Sequence, residues 1–250
     1  MLPVLLVLLS LAMATSSPRA SFEKKMRFHV GSDAVDWTSY TRPVTTYSCA
    51  ADIVRVAVET VESANAIASG KLVELSSQQV IDCDNHFCMG GFMSDAFEYI
   101  TKGGGLCPEA EYPPSGAVCS DGSTCLGGSC KHNASTCTEP VAIKGYSTVP
   151  KGNESALAEA LAIGPVAVAV AADSLAFETY KAGIFDHSTC GTIPNHPMLA
   201  VGYGVDQASG TAYWKLKNSW GANWGEGGFI RLVRGKDMCG VAVEALYPKL

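Results

Sequence analysis

No basic run longer than Lys24-Lys25 occurs in the sequence, and no basic stripe is interleaved with aromatic residues. Nucleic acid requires cations arrayed along its phosphates, so this absence, with a formal net charge of −6, excludes it as the expected partner. Long apolar runs are equally scarce. The only one, MLPVLLVLLSLAMA at residues 1–14, is too short to cross roughly 30 Å of hydrocarbon and ends in the small-residue pattern Ala12-Met13-Ala14. It reads as a secretory signal peptide, and no membrane span is expected elsewhere. Proline is sparse at 12 residues and charged residues make up 17% against 47% hydrophobic, a globular composition without room for long disorder. No Cys-x-x-Cys pair or His-x-His cluster supplies zinc ligands at the usual spacings, so no metal and no other cofactor is expected.

What is present is cysteine. All ten follow the signal, and an even number in a secreted chain predicts five disulfides rather than free thiols. Asn133-Ala134-Ser135 and Asn153-Glu154-Ser155 are glycan acceptor triplets in polar segments. From Asp52 to about Ala68, Val54, Ala57, Val58, Val61 and Ile67 recur at helical spacing until Ser69-Gly70 ends the pattern. A second helix is predicted over Met93 to Ile100, stopping at Gly103 to Gly105. Residues 107–137 are rich in Gly, Ser, Thr and Cys, a composition that builds no core and must be held by cross-links. After a short helix at Ser155 to Ala162 come strand-like runs at 166–172, 198–205, 212–218 and 228–234. Helices first and strands afterwards predict an α+β protein of two lobes, without internal repeats.

Several motifs in this order carry a resemblance. Asn195-His196, Val201-Gly202-Tyr203-Gly204, Tyr213 through Lys217-Asn218-Ser219-Trp220-Gly221, and Trp224-Gly225-Glu226-Gly227-Gly228 resemble the papain family of cysteine proteases. The segments 69–83, Cys88-Met89-Gly90-Gly91 and Met238-Cys239-Gly240-Val241-Ala242 fit the same family, so the likeness covers residues 34–250. It implies a helical N-terminal lobe, a β-barrel-like C-terminal lobe and a cleft between them. In such a protease a cysteine at a helix N-terminus is held as thiolate by an imidazole and the helix dipole. An asparagine orients the imidazole, and a glutamine upstream helps bind the oxyanion. By resemblance His196 is the histidine, Asn218 the asparagine and Trp220 the indole that shields their bond.

The nucleophile position departs from the pattern. The family reads Cys-Gly-Ser/Ala-Cys-Trp/Tyr, whereas this chain reads Cys49-Ala50-Ala51-Asp52-Ile53. Glu62 resembles the glutamate late in the nucleophile helix because it stands eight residues before Gly70, and ten residues back from it is Asp52. Making Cys49 the nucleophile inserts three residues, rotating the upstream chain by roughly 300° and displacing it by about 4.5 Å. By resemblance Cys49 pairs with Cys88, Cys83 with Cys119 and Cys190 with Cys239, leaving Cys107, Cys125, Cys130 and Cys137 for two bridges in one of three connectivities. The glutamine is missing as well, with Thr46 and Tyr47 in its loop. Residues 15–33 are far shorter than the inhibitory pro-segment the resemblance implies, as expected of a protein that cuts nothing.

Aspartate is a poor peptidase nucleophile, because its attack on an amide must form a mixed anhydride while expelling an amine. It is a good helix cap, and pairing with His196 or Arg55 is a further structural use. The expected function is therefore a secreted, catalytically inactive peptidase homologue, extracellular or in a lysosome-like vacuolar compartment, acting as a monomer. Its expected ligands are peptides or protease inhibitors, held by the Gly90-Gly91 backbone and by a pocket of Phe92, Met93 and Glu244. Two alternatives stand beside it: an active peptidase using Cys49 in a shifted register, and a structural or storage glycoprotein.

Overall fold

The computed structural model describes residues 33–45, 51–84, 91–114, 129–131 and 137–250. The signal segment, most of residues 15–33, Cys49, Cys88, Gly90, Cys119, Cys125 and Asn133 lie outside the described residues.

Helix α1, Ala51–Ser69, runs through the middle of the molecule. Its apolar residues Val54, Ala57, Val58 and Val61 are fully buried, but so are the polar Thr60 and Ser63 on other faces. Those hydroxyls are satisfied within the helix, Thr60 Oγ1 donating to the Val56 carbonyl at 2.6 Å and Ser63 Oγ to that of Glu59 at 2.8 Å. A helix can be enclosed on nearly all sides only when its polar groups find such partners. Gly70, with φ +79°, closes the helix by donating its N–H to the Ala66 carbonyl. Two shorter helices pack against α1: α2, Ser77–Cys83, and α3, Met93–Lys102. Ser76 caps α2 by accepting the Gln79 N–H at 3.0 Å.

The later chain supplies α4, Glu154–Ile163, the single turn α5, Leu175–Glu178, and most of an eight-stranded sheet. Its strands are β1 (Val35–Asp36), β2 (Gly145–Thr148), β3 (Val166–Val170), β4 (Ile184–Phe185), β5 (His196–Val205), β6 (Ala212–Lys217), β7 (Phe229–Val233) and β8 (Glu244–Lys249). They lie in the order β2-β8-β3-β5-β6-β7-β4, with β1 paired to β5, and every pairing is antiparallel except β4 with β7.

Strand β3 is buried on both faces, and its alternation sorts residues between two cores. Val166, Val168 and Val170 enter a core with Trp37, Leu157, Leu161 and Trp214, while Ala167 and Ala169 face the helical core of α1 and α3. In β5, Met198 and Ala200 join the first core and Leu199 and Val201 the second. The small alanines of β3 let the central helix approach the sheet. The α+β class, the two cores and the order of the elements agree with the sequence reading. Strands β1, β2 and β8 were not expected.

Cys190–Cys239 is bonded as the resemblance implied, and Cys107–Cys137 is one of the open pairings. The expected Cys83–Cys119 bridge is corrected, because Cys83 is bonded to Cys130. Tyr112 explains the choice: its hydroxyl donates to Asp82 Oδ2 at 3.0 Å and accepts the Lys131 N–H at 3.2 Å, tying the segment around Cys130 to the end of α2. Spacing alone carries no trace of that tether. Asn153, an expected glycan acceptor, caps α4 through its Oδ1 on the Ala156 N–H at 2.9 Å and is exposed, which leaves its Nδ2 turned to other uses.

Candidate active site

His196 opens β5 and Asn218 follows β6, two strands that run side by side. The pairing puts His196 Nε2 2.8 Å from Asn218 Oδ1, which also accepts the Ser219 N–H at 2.8 Å. An amide oxygen is an acceptor, so the neutral ring carries its proton on Nε2 and leaves the Nδ1 lone pair free. Among the described residues Nδ1 has no hydrogen-bond partner. The Trp220 ring lies 4.8 Å from the His196 ring between centroids, and behind it Trp224 and Phe177 form an aromatic wall. His196 is 9% exposed, and this burial lowers the imidazole's pKa against the opposing pull of Asn218. Pro197 sits opposite Ala169 of β3, where strand geometry suits its fixed φ.

The end of β6 is fastened to α1 by a buried ion pair, Lys217 Nζ to Glu59 Oε2 at 2.7 Å. Glu59 stands two helical turns after Asp52 on the same helical side. Sequence inspection passed it over, since an isolated glutamate in a helix carries no mark of burial.

Asp52 is the second residue of α1, not the residue before it, so the expected N-cap role is corrected. Ser219 and Arg55 pull its carboxyl down, Glu59 pushes it up, and burial outweighs them all, raising it from 3.8 to about 6. Its Oδ1 is buried and meets no donor among the described residues. The expected pairing with His196 is absent among the described residues, and Arg55 acts on Asp52 through its charge while lying 3.4 Å from Glu109.

This environment makes the aspartate's charge a burden on the fold. A carboxyl whose folded pKa lies above its unfolded value binds its proton more tightly when folded, so stability falls as pH rises between the two values, from about 4 to about 6. Asp52→Asn removes that cost. Denaturant midpoints are expected to show the variant more stable by about 1–3 kcal/mol at pH 7.5, the gain vanishing toward pH 4. A variant less stable than wild type at pH 7.5 would show instead that the helix N-terminus holds the carboxylate.

Beside His196 lies a pocket of about 190 Å³ whose lining includes Ile53, Gly91, Phe92, Met93, His196 and Glu244. The structure thus brings the start of α1, the start of α3, the histidine and the start of β8 to one place. Every described site residue singled out in the sequence belongs to this neighbourhood. Ala169 and Pro194, also in the lining, were missed because nothing in an apolar strand or a loop proline signals a pocket. Among the described residues no group of three or more His, Cys, Asp or Glu side chains is placed to hold a metal ion.

Comparison with known proteins gives the same assignment throughout. The sequence model of the papain family cysteine protease matches residues 32–249. The senescence-specific cysteine protease SAG39 of Oryza sativa subsp. indica is 42% identical over 200 residues, covering 77% of this chain and 55% of that protein. Cysteine endopeptidase Rep1 of Oryza sativa subsp. japonica is 44% identical over 198 residues, covering 76% and 50%. The chain therefore spans about half the length of the curated relatives it matches. Among solved structures, the bromelain protease from Ananas comosus in complex with the E64 inhibitor superposes with TM-score 0.77 at 38% identity, covering 88% of this chain and 99% of that one. The proform of Amb a 11, a ragweed pollen allergen, gives 0.78 at 36% identity, covering 89% and 68%. With its motifs, its two cores and its histidine–asparagine geometry all matched, the chain belongs to the papain family of cysteine proteases.

Proposed function

We propose that this protein is a non-catalytic papain-family homologue that uses the former substrate cleft to bind peptides or protease inhibitors. The observation that carries the reading is the side chain at the start of α1: an aspartate stands beside Ser219, with Ile53 next to it facing the pocket of His196. The described cysteines are all in disulfides. The histidine and asparagine keep a working geometry, but a carboxylate in place of a thiolate forms no useful acyl intermediate. Gly91, lining the pocket, offers backbone to an extended peptide, as the family likeness implies. Gly90, Cys49 and Cys88, which the same reading assigns to peptide contact and to a bridge, belong to the proposal on sequence grounds alone.

Membership of a family whose plant members are secreted or vacuolar supports the same destination here, and among the described residues no helix is long and apolar enough to cross a membrane. The acting form is a single chain, with an occupied glycan at Asn153 and another at Asn133.

Two measurements test the proposal. Titration of the folded protein with iodoacetamide should find no reactive thiol; one fast-reacting thiol assigned to Cys49 would establish the shifted-register peptidase. Saturable binding of peptides to the wild-type protein, weakened at least roughly tenfold by Gly91→Val or His196→Ala, separates the proposal from a storage glycoprotein, which would bind none.

A further inference from the structure

Glu244 is the acidic member of an otherwise apolar pocket. It opens β8 opposite Ala169 of β3, and the pocket wall around it includes Met93, Phe92 and Pro194. Its carboxyl has no hydrogen-bond or ion-pair partner among the described residues, and no lysine or arginine lines the pocket. A second carboxylate, Asp95 of α3, lies close enough to act on it through space. Burial first, and then the charge of Asp95, raise the Glu244 carboxyl above its ordinary value. Asp95 is itself committed, accepting the Phe92 N–H at 3.1 Å, so it neither leaves nor neutralises its neighbour.

Two acids of one sign, one of them half-buried and unpaired, leave an electrostatic deficit that a cation would fill. The shape narrows the choice of cation. Apolar walls suit an aliphatic stem, and the exposed Phe92 and Ile193, at 66% and 83% exposure, extend apolar surface outside the pocket, Phe92 from its wall and Ile193 from beside Pro194. A stem of several methylenes ending in a positive charge is the side chain of lysine or arginine. We infer that Glu244 makes this pocket selective for a basic side chain of an extended peptide. The inference rests on the peptide-binding reading above and names the class of ligand for it.

The test uses the full chain and three acetylated peptide amides, Ac-Ala-Xaa-Gly-Ala-NH2, in which Xaa is arginine, lysine or norleucine. Binding is followed by calorimetry or by chemical-shift changes. At pH 7.5 the arginine and lysine peptides are expected to bind roughly ten- to hundredfold more tightly than the norleucine peptide, the range of a charge-assisted hydrogen bond. Glu244→Gln should abolish the difference and leave norleucine affinity unchanged. On acidification the wild-type preference should fade, beginning above the pH at which an ordinary glutamate loses its charge. Asp95 and His196 are the other titratable groups facing Glu244; protonation of either also disfavours a cation, so the Gln variant is measured across the same pH range to isolate Glu244.

Equal binding of the arginine and norleucine peptides to the wild type would overturn the inference and leave peptide binding standing. A preference that survives Glu244→Gln would also overturn it. Absence of saturable binding by any of the peptides would remove the peptide-binding reading as well. Should the Gln variant not fold, the wild-type comparison and its pH profile decide the matter.

Discussion

Replacing Asp52 by cysteine is expected to convert a protein without measurable peptidase turnover into one that cleaves peptides slowly. The parts that survive are the difficult ones to assemble. His196 presents a free Nδ1 because Asn218 Oδ1 holds Nε2 at 2.8 Å, and Trp220 shields that bond. Loss of the nucleophile from such a linked set costs on the order of 10⁶ in rate, and loss of an oxyanion donor about 10²–10³. Asp52→Cys should recover part of the first factor, and Asp52→Cys combined with Thr46→Gln more than the single change. A new iodoacetamide-reactive thiol with a pKa well below about 8.5 should accompany the activity, since the helix N-terminus and the imidazole both favour a thiolate. Turnover by the wild-type protein that Asp52→Ala abolishes would defeat the proposed function; a reactive but idle thiol in Asp52→Cys would place the defect in the oxyanion donor.

The largest effect on stability is expected from Arg42→Ala. Arg42 is 4% exposed and joins four parts of the chain: its Nε donates to Glu62 Oε2 at 2.9 Å, its Nη2 to Glu62 Oε1 and to the Leu75 carbonyl, and its Nη1 to Glu109 Oε2 at 2.9 Å. Glu62 is fully buried and also accepts the Leu75 N–H at 2.7 Å. Glu62 and Glu109 hold the guanidinium more firmly protonated than a free arginine. Removing it strands a buried carboxylate, which costs about 3–5 kcal/mol. Denaturant unfolding should show that loss for Arg42→Ala, a smaller one for Arg42→Met with Glu62→Gln, and a positive coupling energy between the two sites. A loss below about 1 kcal/mol would mean that water reaches Glu62 in the native state.

How much of this was legible beforehand varies with the element. Helix α1 was visible because Val54, Ala57, Val58 and Val61 repeat at helical spacing, and β3 and β5 because uninterrupted apolar runs of that length end at glycine and proline. Strand β8 was not, since Glu244-Ala245-Leu246-Tyr247 has no clear alternation of its own and is a strand by virtue of pairing with both β2 and β3. His196 and Asn218 were found from flanking motifs, which are local. The Cys83–Cys130 bridge and the ion pair of Glu59 with Lys217 escaped, because each joins residues far apart in the chain and depends on a third group to bring them near.

Asp52 shows where the division falls. That an aspartate occupies the second position of the central helix, and that the chain carries ten cysteines and a histidine–asparagine pair, follow from the order of residues alone. Whether that aspartate steadies the helix or burdens it was not a property of the sequence. Capping propensity favours an aspartate at a helix start, and only the packing of Ser219, Arg55 and Glu59 around it, with the loss of water from its Oδ1, raises its carboxyl to about 6. Local sequence determines backbone geometry and side-chain type, but solvation is set by whatever the rest of the chain places alongside, and for a charged group solvation is the larger energy.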